Sequence, residues 1–305
     1  MALSIREIRT NCAQARELMT KSRSEKFAVG AFNLDNQETL KAVCRAALVK
    51  KSPVLVEVSH DEAESIGLDN VRDMVDNYKN ELGIEIYINL DHSLSVDAAI
   101  DGIEAGFEFI QLDAAKNNSE ISMDEFIDKT RQVVNYARLT GAIVESEPHF
   151  FDSESSIHKR KINYSQIKKT FSKVDEAKEF IDSTGIDVYA AAIGNLHGIY
   201  PAPKVLDIDL LEKLRGNIDS FISLHGGSGT PEHYFKHAIK SGVNKININT
   251  DMRVAFRRSL EKSLKNNPDE ISVMKLMDEV ISSVQAIVEE KIDIFGSAGK
   301  ARQVN

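Results

Sequence analysis

A short apolar, β-branched run followed by a longer amphipathic stretch recurs eight times along this chain. The runs are Phe27–Asn33, Pro53–Ser59, Glu85–Asp91, Glu108–Asp113, Ala142–Glu147, Asp187–Ile193, Phe221–His225 and Asn244–Asn249. Each has the length and composition of a strand. Between them, Asn36–Lys50 gathers Leu40, Val43, Cys44 and Leu48 on one helical face, and Val96–Glu104 pairs Ile100 with Ile103. Ser122–Leu139 and Glu176–Ile181 behave alike. Strand then helix, eight times over, predicts an α/β fold, a (β/α)8 TIM barrel, with an open parallel sheet as the competitor. No proline-rich, glycine/serine-rich or low-complexity linker interrupts the pattern, so residues 1–305 read as one domain.

Composition narrows the function classes. Of 305 residues, 42% are hydrophobic and 28% charged, enough apolar material for a large ordered core. A net charge of −9 lacks the basic footprint that nucleic-acid binding needs. Two cysteines, Cys12 and Cys44, rule out a disulfide framework. No uncharged apolar run approaches ~18 residues, so no membrane span is expected. Arg6, Glu7, Arg9, Arg16 and Glu17 interrupt Met1–Met19, unlike a secretory signal, which points to the cytoplasm.

Two stretches exceed a plain barrel. Residues 148–174, after the fifth strand, are long for a βα loop and lie where a lid would sit on the catalytic face. Residues 252–305 continue with helical periodicity through Val254, Leu260, Leu264, Met277, Val280, Ile281, Val284 and Ile287. These extra C-terminal helices are expected to pack on the barrel or on another subunit.

Barrel chemistry sits where strands end and βα loops begin. Three histidines fall there: His92 after the third strand, His197 in Gly194–Gly198 after the sixth, and His225 at the end of the seventh. Three imidazoles at the mouth make an open metal site, with coordination left for substrate oxygens. His60 closely follows the second strand and could reach the mouth. His233 and His237, at helical spacing, read as ordinary surface residues. Asp91, beside His92, is either a proton carrier or a partner that orients a metal-bound imidazole. The turns Gly226–Gly229 and Asn247–Asp251 follow the last two strands, where many barrels bind phosphate. Lys204 could supply balancing charge.

These residues resemble the class II, metal-dependent ketose-bisphosphate aldolases. The likeness runs through Phe27–Asn33 (FAVGAFN), Leu90–His92 (LDH), Ala105–Phe107 (AGF), Ile193–Tyr200 (IGNLHGIY), Leu224–Gly229 (LHGGSG), Lys245–Asp251 (KININTD) and Phe295–Lys300 (FGSAGK). The resemblance implies that His92, His197 and His225 hold one catalytic zinc, and that Asp91 carries the substrate hydroxyl proton. It implies that Asp113 and Glu147 serve a second or alternate metal position; a monovalent cation is a further option. It places Asn33, Ser59, Gly198, Lys204, Gly226, Gly227, Ser228, Asn247, Asn249 and Thr250 around the substrate and its phosphate. It also implies a homodimer or homotetramer acting on a small sugar phosphate.

Departures from the family pattern bear on the substrate. Glu147 is followed by Pro148–Glu154 without the usual Gly-Gly, which leaves His149, Asp152 and Glu154 as candidates for the lid acid or base. Asn267–Ser272 lacks the arginine that the family directs at a second phosphate. Asn89 and Ser93 flank Leu90–His92 where the family usually has His and Gly, and Glu57 stands where Gln is common. The basic run His158–Lys161 is either a contact for a second anion or a solvated surface. The expectation is an aldolase that yields dihydroxyacetone phosphate and a nonstandard aldehyde. Its rivals are a catalytically silent metal- or sugar-phosphate-binding paralogue and a ketose-phosphate epimerase or isomerase.

Overall fold

A computed structural model describes residues 3–113, 121–148 and 154–302. Eight parallel strands close into a barrel in sequence order. They are β1 Val29–Asn33, β2 Val54–Val58, β3 Ile86–Ser93, β4 Phe109–Leu112, β5 Ile143–Ser146, β6 Val188–Ala190, β7 Phe221–Leu224 and β8 Val243–Ile248. Every strand expected from the repeat is present, and the open sheet is excluded by the β1–β8 pairing.

The helices in chain order are α1 Ile5–Glu25, α2 Gln37–Lys50, α3 His60–Ile66, α4 Leu68–Leu82, α5 Val96–Glu104, α6 Met123–Ala137, α7 Tyr164–Ile167, α8 Val174–Thr184, α9 Ile208–Asn217, α10 Glu232–Lys240, α11 Thr250–Asn266 and α12 Val273–Phe295. Local chemistry sets several starts. Asn36 caps α2, accepting from the Thr39 N–H at 3.0 Å, and Ser95 and Ser122 cap α5 and α6 in the same way.

Helix α1 precedes the barrel and seals its N-terminal end. Its Ala15, Leu18 and Met19 are buried with Val29, Ala31, Leu55, Tyr87, Phe109, Ile143 and Val188 from inside the barrel. This layer is apolar apart from the Tyr87 hydroxyl, which donates to Glu85 at 2.9 Å, so the lower half is a packed core and not a pore. The C-terminal helices settle on the barrel: α12 packs against α2 and β1. The Ala28 N–H then donates to the Phe295 carbonyl, and Gly299 and Ala301 donate to the carbonyls of Lys50 and Lys51. The tip between α11 and α12 leaves Ile271, Val273 and Met274 exposed. Among the described residues, no helix is long and apolar enough to cross a membrane.

Phe109→Ala should therefore cost about 3–5 kcal/mol by removing the centre of the sealed layer. Val49→Ala, on the exposed face of α2, should stay within about 0.5 kcal/mol. Urea denaturation followed by circular dichroism measures both.

Candidate active site

Inward positions alternate along a strand, and in this barrel they change from apolar to polar toward the C-terminal end. Leu55 is followed by Glu57, Tyr87 by Asn89 and Asp91, Phe109 by Gln111 and Asp113, and Ile143 by Glu145 and Glu147. All of these polar side chains are buried.

Glu145 is the hub of this upper layer. It accepts from Lys245 Nζ at 2.8 Å, from Ser223 Oγ at 2.6 Å and lies 2.6 Å from His225 Nε2. Burial alone would raise its carboxyl, but Lys245 and His225 outweigh burial and hold it well below the usual carboxylate range. Glu57 lies 4.0 Å from Lys245 Nζ. Burial, reinforced by the nearby Asp91 charge, pushes Glu57 well above the usual carboxylate range, in the opposite direction from Glu145.

The three predicted imidazoles converge. Ring centroids of His92 lie 5.4 Å from His197 and 5.2 Å from His225, and the last two are 6.2 Å apart. One ligand atom from each falls within 4.8 Å of the others. Two rings are oriented from behind by carboxylates: His92 Nδ1 meets Asp113 at 2.7 Å, and His225 Nε2 meets Glu145. That leaves His92 Nε2 and His225 Nδ1 as the nitrogens available to an ion. His225 Nδ1 is buried and has no hydrogen-bond partner. The Glu147 carboxylate lies 3.7 Å from it; a buried ring nitrogen without a hydrogen bond, in a group of three imidazoles, fits a zinc-like ion whose ligands are fixed by outer carboxylates. Among the described residues a second group, His92, Asp113 and Glu147, has the same spread.

Adjacent residues on a regular strand would face opposite ways, yet Asp91 and His92 both belong to this site. The β3–β4 register shifts between Leu90 and Ser93, and His92 has a left-handed backbone with φ of 52°. Its N–H is held by the Gln111 side chain at 3.1 Å. The two readings of Asp91 then separate. Asp91 is 3.8 Å from His92 Nε2, while Asp113 makes the orienting contact on Nδ1. The Asp91 carboxylate instead accepts from Asn247 Nδ2 at 3.2 Å.

The expected phosphate residues gather on the neighbouring loops. The Gly226 backbone has φ of 60°, and a Cβ there would lie 2.3 Å from the Leu196 carbonyl oxygen, so only glycine fits. Gly227 donates to the Asn247 carbonyl at 3.0 Å, and Ser228 Oγ accepts from the Asp251 N–H at 3.0 Å. This knits the turn after β7 to the N-terminus of α11, where Asn249 and Thr250 sit. Buried oxygens of Asn247 and Asn249 have no hydrogen-bond partner, as in a polar ligand pocket. Asn33 and the backbone of Ser59 are joined through Glu62, which also pairs with Arg253.

Other expectations change. Lys204 is engaged by the protein itself: its ammonium has three N–H groups, and backbone carbonyls of Leu196, Gly226 and Ser228 accept all three. His60 opens α3, sits 3.4 Å from Glu64 and, among the described residues, belongs to neither candidate metal group. In the long loop, the Ile157 and Ile199 backbones pair, His158 stacks on Tyr200 at 4.2 Å, and a Cβ on Gly198 would strike Ser156 O. The loop base is thus anchored beside the site, while Lys159, Arg160 and Lys161 face solvent. Glu154 is exposed; His149 and Asp152 lie outside the described residues. In the Asn267–Ser272 turn, Glu270 accepts from the Ser272 N–H and pairs with Lys275. Gln111, Glu145 and Lys245 were not singled out as site residues. Their signal is a polar or charged residue inside an otherwise apolar strand.

The model of the family described as class II fructose-bisphosphate aldolase matches residues 13–300. A fructose-bisphosphate aldolase of Streptococcus pneumoniae is 36% identical over 303 residues, covering 94% of this chain and 98% of that protein. A sulfofructosephosphate aldolase of Alkalicoccus urumqiensis is 29% identical over 285 residues, covering 93% and 96%. The crystal structure of the YdjI aldolase from Escherichia coli K12 superposes with a TM-score of 0.78 at 27% identity, covering 94% and 98%.

Two outcomes follow from the carboxylates. Glu145→Gln strands Lys245 and loosens His225, so it should cost about 3–5 kcal/mol in stability. It should also weaken zinc binding about 10–100-fold, measured by competition with a chelating dye. Burial pushes the Glu147 carboxyl up to about 7. In the metal-free protein the folded state then holds a proton that the unfolded chain releases near the ordinary carboxylate value of 4.5. The stability this contributes is present below that value and is lost as pH rises through about 7. Metal-stripped Glu147→Gln should gain on the parent protein between these two values, as read by urea denaturation. A difference that does not vary with pH would contradict the assignment.

Proposed function

Because this chain belongs to the class II fructose-bisphosphate aldolase family, we propose that it catalyses metal-dependent, reversible cleavage of a ketose phosphate to dihydroxyacetone phosphate and an aldehyde. The observation that carries this reading is the convergence of His92, His197 and His225 beside the buried Asp91 carboxylate. A zinc-like ion held by the three imidazoles would supply Lewis acidity toward the ketone oxygen and the charge that develops there.

The chain's own residues account for the rest. Asp91, steadied by Asn247, takes the proton from the hydroxyl that becomes the aldehyde. The carbon–carbon bond then breaks, and its electron pair stays with the three-carbon donor. In condensation Asp91 returns the proton. The donor carbon takes up its own proton from the segment that carries His149, Asp152 and Glu154. The turn Gly226–Ser228 with Asn249 and Thr250 binds the donor phosphate through backbone N–H groups and a helix N-terminus. Asn33 and Ser59 line the substrate on the β1–β2 side.

The acceptor half supports a nonstandard aldehyde. The Asn267–Ser272 turn has no arginine, and its Glu270 is engaged locally. The two named relatives are instructive, since their substrates share a fructose phosphate and differ in the other anionic substituent. Assembly into a dimer or tetramer belongs to the same reading and is supported by the exposed apolar tip at Ile271, Val273 and Met274.

The test is turnover of zinc-loaded protein on fructose 1,6-bisphosphate, tagatose 1,6-bisphosphate and singly phosphorylated ketoses, each scored for dihydroxyacetone phosphate. Asp91→Asn should lower cleavage about 10²–10⁴-fold with metal binding kept. Rapid cleavage of fructose 1,6-bisphosphate would refute the altered acceptor site. No release from any ketose phosphate by fully zinc-loaded protein would refute the proposed function.

A further inference from the structure

Lys204 is a buried cation without a paired anion. It is 1% exposed, and its Nζ donates to the carbonyl oxygens of Leu196 at 2.5 Å, Gly226 at 2.8 Å and Ser228 at 2.5 Å. The Tyr200 ring face is 5.9 Å away. Among the described residues no carboxylate forms an ion pair with it; burial pushes its ammonium down to about 7, and the more distant Asp251 charge opposes this only in part. Three carbonyls require three N–H donors, which only the charged ammonium provides.

The three oxygens come from two different loops. Leu196 precedes His197 on the loop after β6, whereas Gly226 and Ser228 follow His225 after β7. Their negative ends converge on one point and would repel each other without a cation between them. Grouped backbone carbonyls are also how proteins coordinate bare monovalent ions. An ammonium and a potassium ion are close in size and equal in charge.

We propose that Lys204 is a tethered monovalent cation, a positioning residue that fills a carbonyl cradle and fixes the β6 and β7 loops relative to each other. One charge thereby sets the backbone that carries His197, His225 and the glycine turn. Phosphate binding then needs no potassium or ammonium from solution. The phosphate readout rests on the ketose-phosphate reading, but the stability readout does not.

The experiment compares the metal-loaded parent protein with Lys204→Ala and Lys204→Met in potassium, ammonium and tetramethylammonium chloride at matched ionic strength. The last cation is too large for the cradle. Thermal midpoint and orthophosphate affinity by calorimetry are read for each. The parent should be indifferent to the ion. Lys204→Ala should bind phosphate at least about tenfold more weakly in tetramethylammonium and recover most of this in potassium or ammonium. Its midpoint should rise by about 3 °C with the small ions. Lys204→Met, whose side chain fills the space without charge, should show the loss and no rescue. An alanine variant indifferent to the ion overturns the proposal, as does a parent protein that responds to potassium. Should Lys204→Ala not fold, Lys204→Met decides: phosphate affinity equal to the parent's overturns the proposal. A parent that binds no phosphate, beside an alanine variant stabilised only by small ions, would sink the ketose-phosphate reading and leave the cradle standing.

Discussion

The upper half of this barrel depends on one buried carboxylate. Glu145 is shared by Lys245, Ser223 and His225, all fully or almost fully out of solvent. Taking two charges out of water is costly unless the remaining lone pairs are satisfied. Here the carboxylate meets three donors, so the cost is offset and the geometry is rigid. Lys245 comes from β8, Glu145 from β5 and His225 from the end of β7, so the contact spans the barrel. It fixes the imidazole by its outer nitrogen and leaves the inner one facing the site. Apolar filling below and α1 beneath exclude water from this layer.

A local distortion completes the site. Holding His92 in the left-handed region costs about 1–2 kcal/mol, and the Gln111 and Asp113 side chains offset it by gripping its N–H and ring. The shifted register is what lets two successive residues serve one mouth. Without it Asp91 and His92 would lie on opposite faces of β3, and the Asp91 carboxylate would be separated from the three imidazoles. Strain stored at such a position is the usual mark of a functional site.

Much of this was legible in the sequence, for physical reasons. Strand and helix periods differ, so eight alternations declare the barrel, and histidines beside glycines at strand ends declare the mouth. The orienting role was hidden between Asp91 and Asp113, because the bulge that separates them leaves no residue signature. Glu145 and Lys245 were hidden because each sits inside a strand read for its apolar neighbours. Lys204 was assigned to the phosphate, since a lysine near an anion site reads as its counterion. In the structure it donates to backbone carbonyls, which no side-chain pattern displays. Which of His149, Asp152 and Glu154 would serve as the acid or base proposed for the 148–174 segment is the other choice that spacing alone could not make.

The central claim is that the donor half of the site activates dihydroxyacetone phosphate whatever the aldehyde may be. Proton exchange tests it without an acceptor. Dihydroxyacetone phosphate incubated with zinc-loaded protein in deuterated water should lose one of the two hydrogens at its hydroxymethyl carbon, followed by proton NMR. The exchange should be stereospecific, and it should vanish when the metal is stripped and return when zinc is restored. Retention of both hydrogens by fully zinc-loaded protein would contradict the account.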